Sequence, residues 1–303
     1  MEKVSHMSQK GTKPPWLRVK IPSSPSNKIM SLINNKLLHT VCVEAKCPNQ
    51  MQCFAEGQAT FLLLGPNCTR RCTFCAVGKL AVQKPDSKEP ARIADTIAQI
   101  GLSYSVLTMV TRDDLADGGA SHIAETMREI RNLSPDTEIE LLISDLNGNW
   151  DALDVIVQTT PAVLNHNIET VPRLYPSVRP QADYKRSLDL LTRVSSIQSG
   201  VITKSGMMLG LGERRDEILS AMNDLRNAGC QLLTLGQYLS PSQGHHPVIR
   251  YVHPEEFDKY KQEALDRGFL GVASAPLVRS SYRAADLFHS VNHGNLSSIK
   301  SSS

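Results

Sequence analysis

Six of the seven cysteines fall within the 34 residues from 42 to 75, in two triplets, Cys42-x4-Cys47-x5-Cys53 and Cys68-x3-Cys72-x2-Cys75. An isolated buried cysteine behaves as a small hydrophobe, but six thiols crowded this way are an oxidation hazard unless something holds them. Thiolates are soft ligands that favour zinc, copper(I) and iron–sulfur clusters. Structural zinc asks for four ligands, usually in two C-x2-C-type pairs, and an electron-carrying ferredoxin cluster asks for four cysteines. Each triplet here stops at three. Disulfides fit worst, because seven is an odd number and the sequence shows no secretory signal. Two metal clusters is the simplest reading, and the coordination position left open beside the second triplet invites a substrate or cofactor.

The second triplet also has a definite place in a fold. From Thr60 onward, short apolar runs alternate with longer amphipathic stretches. The runs at 60–64, 105–110, 138–143, 163–167, 203–209 and 231–235 read as strands, and 90–101, 120–132, 150–158, 184–198 and 214–228 read as helices. Repeated strand-then-helix units imply a parallel sheet with right-handed crossovers. Six units give an α/β fold, a partial (β/α)6 TIM-type barrel with N-terminal and C-terminal extensions. In such barrels the reactive groups sit at the carboxyl ends of the strands, and Cys68–Cys75 follows the first strand. The expected divisions are a disordered tail at 1–13, an N-terminal extension with the first triplet at 14–58, the barrel at 59–240, a C-terminal extension at 241–290 and a second disordered tail at 291–303. Residues 13–20 read as an extended, proline-punctuated segment with Trp16 as its anchor. Residues 27–40 read as an amphipathic helix with Ile29, Leu32, Ile33 and Leu37 at helical spacing.

Charge and hydropathy narrow the function classes. No apolar run approaches the roughly 20 residues that span a bilayer, so no membrane role is expected, and the setting expected is cytoplasmic. The formal net charge of +3 conceals an asymmetry: residues 1–40 carry seven Lys and Arg against the single acid Glu2. A basic lead segment steers acidic partners or is a plain solvated tail. A nucleic-acid role is not supported, since only Trp16 stands among those cations to stack on a base.

The remaining strand ends carry polar clusters. Arg112-Asp113-Asp114-Leu115-Ala116-Asp117-Gly118-Gly119-Ala120 follows the second strand, and its glycine pair either lets backbone approach a ligand or makes a simple turn. The fourth strand ends in Asn165-His166-Asn167-Ile168-Glu169-Thr170-Val171-Pro172-Arg173, and the fifth runs through Gly206 to Gly210 and Gly212, a weak glycine signal by spacing alone. His245 and His246 after the sixth strand read as polar contacts more readily than as metal ligands or acid–base groups. Cys230, alone before a strand, reads as core packing. A helix near 254–267 and the stretch 270–275 precede Arg279-Ser280-Ser281-Tyr282-Arg283-Ala284.

These residues resemble a known family. C-x3-C-x2-C with an aromatic, Phe74, before the last cysteine is the signature of the radical S-adenosylmethionine (SAM) superfamily. The preceding C-x4-C-x5-C triplet and the terminal Arg-Ser-Ser-Tyr-x-Ala are similar to the lipoyl synthase family over 13–284. Arg112-Asp113-Asp114-Leu115, Asp117-Gly118-Gly119-Ala120, Glu169-Thr170-Val171 and Arg250-Tyr251-Val252 also match. Thr111, where the family usually has Asp, and Ser144-Asp145-Leu146-Asn147 depart from its pattern. The resemblance implies two 4Fe-4S clusters: one on Cys68, Cys72 and Cys75 whose fourth iron binds SAM, and an auxiliary one on Cys42, Cys47 and Cys53 with Ser281, rather than Ser280, as fourth ligand. It implies SAM contacts at Phe74, Asp117, Gly118, Gly119, Asn167, Glu169, Arg173 and Gly210. The activity implied is sulfur insertion at C6 and C8 of an octanoyl group on a lysine of a lipoyl carrier protein. Each C–H bond is opened by a 5'-deoxyadenosyl radical, and the sulfur is drawn from the auxiliary cluster. No side chain acts as acid or base on so inert a bond. Implied partners are an octanoylated carrier (the E2 lipoyl domain of a 2-oxoacid dehydrogenase or the glycine cleavage H protein), an electron donor such as flavodoxin or ferredoxin, and a cluster-repair protein. The basic segment from Lys13 to Lys36, with Lys20 and Lys28, is expected to help dock an acidic carrier.

Overall fold

The computed structural model describes residues 13–19, 27–197 and 200–299. Among these, eight strands form one sheet in chain order: β1 His39–Thr40, β2 Thr60–Leu63, β3 Tyr104–Met109, β4 Glu138–Leu142, β5 Val163–Asn165, β6 Ile202–Leu209, β7 Leu232–Gln237 and β8 Gly271–Ser274. β1 is antiparallel to β2, and each later neighbouring pair is parallel. The edge strands β1 and β8 are not neighbours, so the barrel stays open. Helices α1 Asn27–Asn35, α2 Val41–Glu44 and α3 Gln50–Ala55 precede the parallel strands. Between and after those strands lie α4 Glu89–Ile100, α5 Ala120–Leu133, α6 Trp150–Val157, α7 Tyr175–Val178, α8 Tyr184–Ser196, α9 Arg215–Asn227, α10 Pro254–Asp266 and α11 Ala284–Ile299. Among the described residues no helix is long and apolar enough to cross a membrane.

The six strand–helix units read from the sequence are β2 to β7, each bound within two residues of its expected limits. Their strands are continuous buried runs, as parallel strands covered on both faces must be. The helices bury one face each: Ile93, Ala94 and Ile97 of α4 are at most 1% exposed. Local chemistry sets the ends. Gly101 takes the left-handed conformation that stops α4, and the Asp183 carboxylate caps α8 by accepting from the Arg186 amide.

The structure differs from the sequence reading at three places. The stretch 270–275 supplies a seventh parallel strand, β8, paired to β7 from Leu232–Gly271 to Leu235–Ser274. Helix α1 stops at Asn35, and Leu37 turns outward at φ +51° and 76% exposed while Leu38 packs inward. Helix α11 runs to Ile299, past the boundary at 290, because Leu287, Phe288 and Val291 pack against Val163 and Leu232 at the amino end of the sheet. Burying a side chain such as Phe288 contributes about 2 kcal/mol, enough to order a segment whose composition looks frayed. Of the tails expected at 1–13 and 291–303, residues 1–12 and 300–303 lie outside the described residues.

A charged pair is enclosed within the sheet. Lys204 of β6 reaches both carboxylate oxygens of Glu140 on β4, at 2.7 and 2.9 Å, and Tyr104 and Asn165 donate to the same carboxylate at 2.8 and 3.0 Å. Both charged residues are fully buried, so removing one partner strands the other. Lys204→Met is expected to cost about 3–5 kcal/mol in urea unfolding, and Glu140→Gln added to it to recover most of that loss. A cost below about 1 kcal/mol for the single variant would mean that water reaches the pair.

Candidate active site

Residues 68–75 have no regular secondary structure, so bonds to their surroundings hold them. The Cys68 amide donates to the Gly78 carbonyl at 2.8 Å and the Thr69 amide to the Thr111 carbonyl at 3.0 Å. Arg70, 4% exposed at its side chain, forks onto Asp113 at 2.8 and 2.9 Å and onto Asp145 at 2.6 Å. The Thr73 amide donates to the Val178 carbonyl. From beyond β7, the His246 amide donates to the Thr73 carbonyl, and His245 Nε2 lies 3.2 Å from the Cys75 carbonyl. Both histidines thus make polar contacts, as read from the sequence. Asp145, from the segment that departs from the family pattern, is one of the two anchors of Arg70.

The first triplet is fixed by the extensions. The Thr40 hydroxyl caps α2 by accepting from the Val43 amide, and α2 carries Cys42. Asn49, buried between Cys47 and Cys53, donates to the Leu277 carbonyl at 2.7 Å and so ties this segment to the one bearing Ser280 and Ser281. That segment lies against β7 because residue 236 is glycine: a Cβ there would sit 2.1 Å from the Val278 carbonyl oxygen.

Two cavities border these thiols. One, of about 520 Å³, opens at the carboxyl ends of the strands and is lined by Cys68, Cys72, Cys75, Cys42 and Cys47, with Ser280 and Ser281 among its other walls. The second, of about 330 Å³, is lined by Cys42, Cys47, Cys53 and Ser281. Among the described residues no three His, Cys, Asp or Glu side chains converge as a single metal ion requires. Thiols ranged around spaces of this size suit a ligand several atoms across. Burial pushes Cys42 up to about 11 and Cys53 and Cys75 up to about 12, and burial likewise raises Cys72. Thiols in that condition give up their protons to a bound metal. Cys230 is fully buried apart from both triplets, with its thiol on the Leu232 carbonyl.

The larger cavity has one polar wall. Glu169 adopts φ +63°, a strained conformation for a glutamate, and accepts from Asn167 Nδ2 at 3.2 Å. Burial raises its carboxyl, while Arg179 and Asn167 pull it back. Among the described residues, the buried atoms Asn167 Oδ1 and Arg179 Nε have no hydrogen-bond partner. Such atoms cost free energy unless a ligand satisfies them, and a zwitterionic amino-acid group would supply both donor and acceptor. Met109, Val110, Ile143, Met207 and Leu239 make the rest of the lining largely apolar.

The expected SAM residues divide between cavity and scaffold. Phe74, Asn167 and Glu169 line the large cavity. Asp117, Gly118 and Gly119 do not: the Asp117 carboxylate accepts from the Gly119 and Ser121 amides at the start of α5, and a Cβ on Gly119 would lie 2.4 Å from Leu64. Arg173 forks onto Glu217 at 2.7 and 2.9 Å on the surface. Gly210 lets the Arg250 carbonyl and Gln237 approach. None of these five residues lines the large cavity. Arg179 escaped the sequence reading, because nothing in the chain around it distinguishes it from a surface cation. Of the basic lead segment, Lys20 lies outside the described residues, Lys36 is paired with Asp95 and Lys13 borders the large cavity.

Comparison with known proteins agrees with this geometry. The family description "Radical SAM superfamily" matches residues 62–225. The chain is 53% identical over 280 residues to lipoyl synthase of Chlorobium phaeovibrioides, covering 91% of this chain and 98% of that one. It is 50% identical over 275 residues to lipoyl synthase of Alkaliphilus metalliredigens, covering 90% and 95%. Among solved structures, HydG, a maturase of the [FeFe]-hydrogenase, superimposes with a TM-score of 0.55 at 16% identity over 70% of this chain and 51% of its own, a likeness of fold alone.

His166 offers a direct test of the interior around this wall. It is buried between the Ile143 carbonyl and the Ser187 hydroxyl, and burial, then the Arg179 charge, hold it down at about 4. This lies below the value of about 6.5 in an unfolded chain, so the folded state binds fewer protons. Its share of stability is therefore complete above pH 6.5 and is lost as pH falls from 6.5 towards 4, by up to about 1.4 kcal/mol per pH unit. Chemical denaturation between pH 7.5 and 5.5 should show this loss in the native chain and a flatter profile in His166→Gln. An unchanged profile in the variant would contradict it.

Proposed function

The chain belongs to the lipoyl synthase family of radical SAM enzymes, and we propose that it inserts two sulfur atoms, at C6 and C8, into an octanoyl group carried on a lysine of a lipoyl carrier protein. The observation that carries this reading is that Cys42 and Cys47 share one cavity with Cys68, Cys72 and Cys75. A group held by one triplet thus faces the same bound chain as a group held by the other. Cys68, Cys72 and Cys75 would hold a 4Fe-4S cluster that, with SAM, would supply hydrogen-atom abstraction, while Cys42, Cys47, Cys53 and Ser281 would hold the cluster that supplies sulfur.

The residues of the chain do the positioning. Asn167 Oδ1 and Arg179 Nε offer an unsatisfied acceptor and donor to the amino and carboxylate groups of SAM, and the Glu169 carboxylate lines the same wall. Met109, Val110, Ile143, Met207 and Leu239 receive the alkyl chain and keep water from the reacting carbon. Ser281, which lines both cavities, puts an oxygen among sulfur ligands, a harder and therefore weaker hold on iron. Such a hold suits a group that is consumed. The reading carries with it a cytoplasmic setting, an acylated E2 lipoyl domain or H protein as substrate, a flavodoxin or ferredoxin as reductant and a cluster-repair protein.

Anaerobic incubation with an octanoyl-lysine peptide, SAM and a reductant should yield, by mass spectrometry, peptide carrying two added sulfurs. Cys72→Ala should release no 5'-deoxyadenosine and add no sulfur. Cys47→Ala should still release 5'-deoxyadenosine but add none. Sulfur addition by Cys47→Ala would refute the division of labour, and native protein that releases no 5'-deoxyadenosine would be a structural or electron-carrying iron–sulfur protein.

A further inference from the structure

Lys46 stands where a helix usually ends on glycine. Its amide donates to the Val43 carbonyl and the Cys47 amide to the Cys42 carbonyl, the paired bonds that close a helix through one left-handed residue. That residue is Lys46, at φ +51°, a conformation unfavourable for any side chain with a Cβ. Glycine would turn the chain there with less strain, but it carries no charge. The lysine is exposed and lines the large cavity, as does exposed Lys13. On the side of the second triplet Arg71 is exposed, and exposed Lys79 donates to the Cys72 carbonyl at 3.2 Å. Among the described residues none of these four cations is paired with a carboxylate. The carboxylates close by are engaged, Glu44 with His39 and Asp113 with Arg70. Leu80, beside Lys79, is 79% exposed, the most of any large apolar residue described.

We propose that Lys13, Lys46, Arg71 and Lys79 form a docking rim for the carrier domain and receive an acidic surface around its acylated lysine. The inference rests on the proposed reaction, in which the octanoyl group enters the large cavity while still attached to its carrier. A tethered group brings the surface of its protein against the mouth, so the residues around the mouth meet the carrier. Cations gathered there repel one another, and an acidic face relieves that repulsion and hastens encounter. Leu80 adds an apolar contact beside them. The same sign prevails within: Glu169 is the one carboxylate lining the large cavity, against Lys13, Lys46, Arg179 and Arg279. Docking thus moves from the lead segment as a whole to the mouth of the cavity. Lys36, already paired with Asp95, takes no part in it.

Anaerobic calorimetry of an octanoylated E2 lipoyl domain binding to the cluster-loaded chain, at low and at high salt, tests the rim. Lys46→Gly should unfold no lower in temperature than the native chain, yet bind the domain about fivefold more weakly at low salt. Lys46→Arg should bind as the native chain does. Lys79→Glu should bind about tenfold more weakly, and the loss should fade at high salt. Lys261→Glu, exposed on α10 against β8, should leave binding unchanged and so separates a local rim from net charge. Native-like binding by both Lys46→Gly and Lys79→Glu would overturn the rim, as would equal weakening by Lys261→Glu. Unchanged carrier binding together with slower cluster reduction by flavodoxin would give the rim to the reductant and overturn it too. A native chain that adds sulfur to the free octanoyl-lysine peptide but does not bind the domain would sink the rim and leave the proposed reaction standing. One that does neither would refute the reaction, and the rim with it.

Discussion

The guanidinium of Arg70 sits in the middle of the loop that carries Cys68, Cys72 and Cys75, almost wholly removed from water, and divides its donors between Asp113 after β3 and Asp145 after β4. A buried cation is tolerable only when its hydrogen bonds are complete, so this arrangement permits one placement of the loop and penalises others. The strands deliver the two aspartates to their carboxyl ends, and the loop in turn sets where three thiols point. Asp145 is itself buried. Burial alone would raise its carboxyl, but the hydrogen bond and charge of Arg70 hold it at about 2. A loop without helix or strand thereby gains the rigidity that a metal site demands.

From that fixed loop the division of the site follows. The extension before the barrel and the segment after it are joined through Asn49 and the Leu277 carbonyl, and together they set Cys42, Cys47 and Ser281 across the cavity from the loop. The cavity between has one wall of unsatisfied polar atoms and otherwise mostly apolar lining. Such a space suits a small zwitterion beside an alkyl chain. On the proposed reading the side chains would contribute placement and dryness, because an aliphatic C–H bond gives an acid or base nothing to act on.

Much of this was legible in the sequence because it rests on periodicity and spacing. The six buried strands announce themselves as short apolar runs, and the residues that spacing and motif single out, both cysteine triplets and Ser281, border the two cavities. Elsewhere the reason for a residue lies in three dimensions. Gly118 and Gly119 look like a ligand cradle, but they are small because Leu146 and Leu64 press against them. Leu37 keeps helical spacing past the point where the helix has ended. The Ser- and Asn-rich end looks frayed, but apolar residues at 287, 288 and 291 dock it on the sheet. Arg179 becomes part of the site only when α7 folds back to the carboxyl end of β5, where the guanidinium donates to the carbonyls of Asn167 and Ile168.

The central claim is that two independent metal cages face one cavity. Iron and acid-labile sulfide per chain after anaerobic reconstitution test it most directly. The account predicts about eight irons for the native chain and about four each when the first or the second triplet is changed to alanine. Uptake of zinc alone, about four irons in the native chain, or loss of all iron on removing either triplet would contradict it.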